Sequence, residues 1–126
     1  MPDFLFFKVG KTYLKIRFTD ILYIRAEKRY VTIITLANSY FSTISIGEIE
    51  RHLPPDLFRR IHRSYIISLH HTDKFDSELV YVGGRKIPIA EQYKNVLKSD
   101  VVVINGTFPT SNFHNEAAKL MSELSR

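Results

Sequence analysis

Apolar residues fall along the first hundred positions in short runs separated by turn-forming residues, a pattern that predicts strands more than helices. Phe4–Val9 (FLFFKV) and Thr12–Phe18 (TYLKIRF) flank Gly10-Lys11, a two-residue hairpin turn. Ile21–Ile24 is a further apolar run, and Tyr30–Leu36 (YVTIITL) is rich in β-branched residues. Asn38-Ser39 then turns the chain into Tyr40–Thr43. The third and fourth runs are joined by a charged hairpin-like connection, Arg25-Ala26-Glu27-Lys28-Arg29. Ser45 and Glu48 have the spacing of a capping box, with Ile46, Ile49 and Leu53 on one helical face, and Pro54-Pro55 ends that helix.

The next stretch, FRRIHRSYIIS, sets Arg59, Arg60, His62 and Arg63 before the apolar Tyr65-Ile66-Ile67. It predicts a cationic surface loop feeding a core strand that runs to Leu69. Glu78–Val82 and Arg85–Ile89 pair around Gly83-Gly84, which supplies the positive φ angles of a tight turn. Ala90–Lys98 predicts a short helix, Val101–Ile104 a strand and Asn105–Ser111 a loop. From there Phe113, Ala117, Leu120, Met121 and Leu124 repeat at helical spacing behind Asn112, a candidate N-cap. The expected fold is mainly β, with antiparallel sheets, short flanking helices and a C-terminal amphipathic helix. The strand order does not fit alternating βαβ units.

A chain of 126 residues suits one compact domain, and no apolar run approaches the roughly 18 residues of a membrane span. Its N-terminal MPDFLFFKVGK lacks the basic head and cleavage site of a signal peptide. Cysteine is absent, which excludes a disulfide framework, a thiol nucleophile and a cysteine-based metal site, and fits a cytoplasmic location. The net charge of +5 is uneven: residues 1–98 hold 16 of the 18 Lys and Arg and 10 of the 13 Asp and Glu. A basic surface of this kind leans toward nucleic acid or another anionic surface.

Other chemistry finds little support. His70-His71, read as neighbours in a strand, point to opposite faces and make a poor chelate. His62 near Ser64 lacks a nucleophile elbow and an orienting acid, and Gly83-Gly84 lacks the helix start of a phosphate loop. Neither an enzyme nor a cofactor or metal site is expected.

Four ordered blocks resemble the LytTR DNA-binding domain of bacterial response regulators: DILYIRAEKRYVTI (Asp20–Ile33), IGEIERHLPPDLF (Ile46–Phe58), FRRIHRSYII (Phe58–Ile67) and RKIPIAEQYK (Arg85–Lys94). The resemblance covers about Phe4 to Leu97. It implies an elongated all-β DNA-binding domain over residues 1–98 and leaves 99–126 as an extension packed on or prolonging it. Family members bind duplex DNA through loops in successive major grooves, commonly as homodimers on direct-repeat half-sites. They usually follow a receiver domain. No such segment occurs here, so the chain is either a stand-alone member or a piece of a longer two-component regulator, and its start at the first strand favours the piece.

Residue by residue, the resemblance puts Arg29, beside Lys28, where members place a base-contacting side chain. Arg63 falls at a base- or backbone-reading position, with His62 and Ser64 holding the loop or meeting phosphate. Arg59 and Arg60 are plausible support, one of them as a partner for Asp56. After Ile87-Pro88-Ile89, where members often carry a cation, this chain has Glu91, which either accepts from a cytosine amino group or points away and leaves a third groove contact to Arg85, Gln92 or Lys94. Tyr30 is expected to pack, and Lys8, Lys11, Lys15 and Arg17 to form a solvated sheet face. Two other readings compete with duplex recognition. A protein-interaction or ligand-sensing module on the same fold would use the anionic Glu91 and the unmatched tail. Single-strand binding would use exposed Tyr13, Tyr40 and Tyr81.

Overall fold

In the computed structural model, which describes residues 3–106, the chain forms ten strands and two short α-helices. Strands β1 (Phe4–Val9) and β2 (Thr12–Arg17) make a hairpin. Strands β3 (Ile21–Ala26), β4 (Val31–Thr35), β5 (Ser39–Ser42), β6 (Phe58–His62) and β7 (Tyr65–Ser68) form a sheet in the order β5-β4-β3-β7-β6. Strands β8 (Thr72–Phe75), β9 (Leu79–Val82) and β10 (Arg85–Pro88) form a third sheet, and every pairing is antiparallel. Helix α1 (Ile46–His52) follows β5, and α2 (Val96–Asp100) follows β10.

The five-stranded sheet has a core on each face. Val31, Ile33 and Ile66 pack with Ile16 of the first hairpin, with Phe18 just after it and with Ile49 and Leu53 from α1 and its C-cap. Tyr23, Ile61 and Ile67 pack with Val80, Val82 and Ile87 of the three-stranded sheet and with Leu97 of α2. Burial on both sides explains why β3 and β7 read as continuous apolar runs rather than alternating ones. A bulge between Ile21 and Tyr23 sends Leu22 and Tyr23 toward the same core.

Local chemistry sets the ends of these elements. Ser45 Oγ accepts the Glu48 N–H at 3.1 Å and caps α1. Gly10, Gly83 and Gly84 take φ of 62°, 54° and 80° at the two hairpin turns where sequence placed them. Asp76 Oδ1 accepts the N–H groups of Glu78 and Leu79, both at 2.8 Å, which holds the β8–β9 turn. Those two bonds keep its carboxyl below the ordinary value.

Several expectations change. Phe58–His62 is an edge strand and not a loop: Phe58 and Ile61 enter opposite cores, which extended backbone allows three residues apart. The polar β8 carries little apolar pattern and escaped notice. Ala90–Lys98 divides into a 3₁₀ turn over Glu91–Tyr93 and α2, because the Ala90 N–H crosses to Ile61 O at 2.9 Å while Leu97 turns into the core. Val101–Ile104 has no regular structure, and Val102 and Ile104 stand exposed. His70 and His71 lie in the turn between β7 and β8, where His71 Nε2 meets Thr19 O. The amphipathic helix expected over Phe113–Leu124 lies outside the described residues. Among the described residues no helix is long and apolar enough to cross a membrane.

The two glycine turns differ in surroundings. A Cβ at Gly83 would sit 3.1 Å from Leu22 Cδ1, whereas at Gly10 it would meet nothing within 4 Å. Gly10→Ala should cost about 1–2 kcal/mol, the strain of a left-handed residue. Gly83→Ala should cost more, read as a lower urea midpoint at unchanged slope.

Candidate nucleic-acid interface

Two hairpin tips meet at one end of the five-stranded sheet. Between β3 and β4 the Glu27 N–H donates to Tyr30 O at 2.8 Å, which leaves Lys28 and Arg29 at the exposed tip. Between β6 and β7 the tip is Arg63-Ser64. The two tips are tied together, since the Ala26 N–H donates to Ser64 O at 2.8 Å. Lys28, Arg29 and Arg63 are all exposed, and among the described residues none has a carboxylate within ion-pair distance. Glu27, the anion nearest to them in sequence, is held by Arg25 at 2.8 Å.

The β6–β7 turn is one the backbone alone would not favour. Two-residue hairpins prefer primed turns with positive φ, and no residue here other than glycine has positive φ. The register also slips between Arg60 and His62, where a bulge leaves Ile61 opposite no residue of β7. Side chains supply what the backbone lacks. Arg60 Nε donates to His62 O at 2.8 Å and its Nη2 to Arg63 O at 2.6 Å. The Ser64 N–H donates to His62 Nδ1 at 3.0 Å, and the His62 ring lies edge-on to Tyr65, 5.5 Å away. Accepting at Nδ1 leaves Nε2 of the neutral ring as its N–H donor.

Together with the two inter-segment bonds, these contacts satisfy the four consecutive carbonyls from Ile61 to Ser64. Ile61 O takes the Ala90 N–H, His62 O and Arg63 O take Arg60, and Ser64 O takes the Ala26 N–H. The turn is therefore a junction for all three segments singled out in the sequence. The bond to Ala90 brings the Glu91–Tyr93 turn against β6, with Gln92 exposed. Lys94 Nζ pairs with Glu91 at 3.0 Å, so that cation is engaged inside its own segment.

Not every expected residue joins this group. Arg59 and Arg60 are successive residues of an edge strand and point to opposite faces. Arg59 Nε pairs with Asp100 of α2 at 2.9 Å, and Arg60 Nη1 pairs with Glu50 of α1 at 2.9 Å. Neither uses Asp56. Arg85 sits apart, at the turn that packs on Leu22 near the other end of β3. Sequence reading missed Glu50, whose partner lies ten residues on, across a change of element; nothing local signals it. It also missed Phe41, which is exposed beside Tyr30 with ring centroids 5.5 Å apart and shares a shallow depression with Lys8. Tyr30, expected to pack, stays exposed with its ring edge-on to Phe41.

A family model described as the LytTr DNA-binding domain matches residues 11–101. The sensory transduction protein LytT of Bacillus subtilis is 30% identical over 96 residues, covering 71% of this chain and 40% of LytT. The CO-responsive transcriptional regulator RcoM of Rhodospirillum rubrum is 34% identical over 67 residues, covering 53% of this chain and 28% of RcoM. The chain thus spans well under half the length of these relatives. Among solved structures, the LytTr DNA-binding domain of a putative methyl-accepting/DNA response regulator from Bacillus cereus shares the fold. It has a TM-score of 0.66 and 21% identity, and the match covers 79% of this chain and 96% of that one.

The Glu91 carboxylate, by hydrogen bond and by charge, raises the Lys94 amine above its ordinary value. A raised amine stabilises the fold below the ordinary lysine value and loses that contribution as pH climbs through the folded one. Glu91→Gln should return the Lys94 amine toward the ordinary value, followed by side-chain NMR titration at alkaline pH.

Proposed function

The chain belongs to the LytTr DNA-binding domain family, and we propose that it binds duplex DNA sequence-specifically as the output module of a bacterial transcriptional regulator. One observation carries this reading: two cationic tips, Lys28-Arg29 and Arg63-Ser64, are held side by side by the Ala26–Ser64 hydrogen bond. Cations fixed on short tips of a rigid sheet reach into a groove, while phosphates supply the counter-charge. Arg63 and Arg29 read base edges, each able to form a bidentate pair with guanine O6 and N7. Lys28, the His62 Nε2–H and the Ser64 hydroxyl serve the backbone. Gln92 lies where the third segment would meet DNA, and Lys94 joins it only on leaving Glu91. Arg59, Arg60 and Arg85 contribute positive potential from behind.

The setting follows from the relatives. One relative is named for sensory transduction and another as a CO-responsive transcriptional regulator. We place this chain in the two-component setting, with a receiver domain supplying the signal and two copies occupying direct-repeat half-sites. The cytoplasm is where such a module would meet its DNA.

Selection of bound duplexes from a random pool should recover a preferred site, and a repeated half-site would support pairing of two copies. Binding should weaken steeply with salt, as counterion release requires. Arg63→Ala should cost about 1–3 kcal/mol on the recovered duplex and flatten preference at one base position. Undiminished preference at every position would remove Arg63 from the reading set. No duplex binding at low salt would overturn DNA recognition altogether. Glu91→Gln, which removes an anion and releases Lys94, should tighten binding and steepen the salt dependence by about one counterion.

A further inference from the structure

Arg60 is the residue whose geometry goes furthest beyond a list of DNA contacts. Its Nε, Nη1 and Nη2 are each committed, to His62 O, Glu50 Oε1 and Arg63 O. The side chain is largely covered. Three of its five N–H donors are thus spent inside the protein, on acceptors of the turn and of α1. What it holds is the unprimed turn whose tip carries Arg63, a shape that two residues with negative φ do not keep unaided. Glu50 in turn anchors Arg60 from α1, whose Ile49 is buried in the first core and whose start is capped by Ser45.

We infer that Arg60, locked by Glu50, is a positioning residue that sets the DNA-reading turn, so that α1 governs how sharply Arg63 discriminates bases without touching DNA. This rests on the duplex-binding reading above. Arg59 provides the internal contrast: it is the adjacent cation on the same strand, yet it pairs with Asp100 and its remaining contact is Phe58 O, away from the turn. A lysine cannot replace Arg60, because one ammonium cannot span three acceptors held in a planar fork.

The test compares the duplex recovered from a random pool by the parent chain with a scrambled duplex of equal length. Glu50→Ala and Arg60→Lys should each lower the preference for the recovered duplex by about tenfold, within what one bidentate base contact supplies. The salt slope on both duplexes should not fall below the parent's value. Arg59→Lys should keep the parent's preference. A uniform loss on both duplexes in Arg60→Ala, with the slope reduced by about 0.9, would make Arg60 a phosphate contact and overturn the inference. Unchanged preference in Glu50→Ala would overturn it equally. Glu50→Ala changes a half-exposed helix side chain and keeps the test open if an Arg60 variant fails to fold.

A parent that prefers no duplex would sink the DNA reading, not the brace, which amide hydrogen exchange then judges. The Ser64 and Ala26 amides should exchange faster in Glu50→Ala while Ile24 and Ile67 stay protected. Equal exchange at Ser64 and Ala26 in variant and parent would rule the brace out.

Discussion

The five-stranded sheet is buried on both faces, and strand β3 at its centre is hydrogen-bonded on both edges. A strand in that position has little exposed face on which to place a polar side chain, and β3 opens on the apolar run Ile21-Leu22-Tyr23-Ile24 with Arg25 only near its end. Ile21, Ile24, Ile66 and Ile67 are completely buried. Charge is therefore driven to the places where the sheet stops, its tips and its edge strand. The concentration of cations at one end follows from this as much as from any binding role.

Edge strand β6 shows how that constraint is met. Its alternation must serve two cores, with Phe58 going to one and Ile61 to the other. Arg59 and Arg60, between them, find a carboxylate on the helix covering each face. Paired in this way the two arginines also guard an exposed sheet edge, since charged side chains discourage pairing with another chain. With the carboxylate of each pair well exposed to solvent, these pairs add little stability by themselves. Their effect is geometric: each ties a short helix, too small to persist alone, to the strand it covers.

The same edge strand ends in the turn that joins three segments through four successive carbonyls. A polar junction of this kind is rigid because each acceptor has a defined donor, and loss of one would leave a partly buried group unpaired. Recognition by loops normally risks imprecise placement, and here the loops are short, tied to one another and backed by a sheet. Such preorganisation reduces the ordering cost of binding. The anionic Glu91 fits the pattern in a different way, holding Lys94 within its own segment and leaving the third segment less cationic than the other two.

Much of the fold was legible in the residues alone. The Gly10 and Gly83-Gly84 turns, the Ser45 cap and most strands depend on chemistry within a few positions, where φ preferences and short-range hydrogen bonds act. The four sequence blocks likewise pointed to the family, with Lys28 and Arg29 in a hairpin-like connection and Arg63 on a surface loop. Tertiary structure decided what each cation does. Arg59, Arg60 and Arg63 are alike as sequence, yet one braces α2, one braces the turn and one projects from it. Their roles depend on Asp100 and Glu50, which reach them only after the chain has folded. Residue type determined that this end would be basic. Which charges are spent inside the molecule was set by long-range pairing, and no local pattern encodes that.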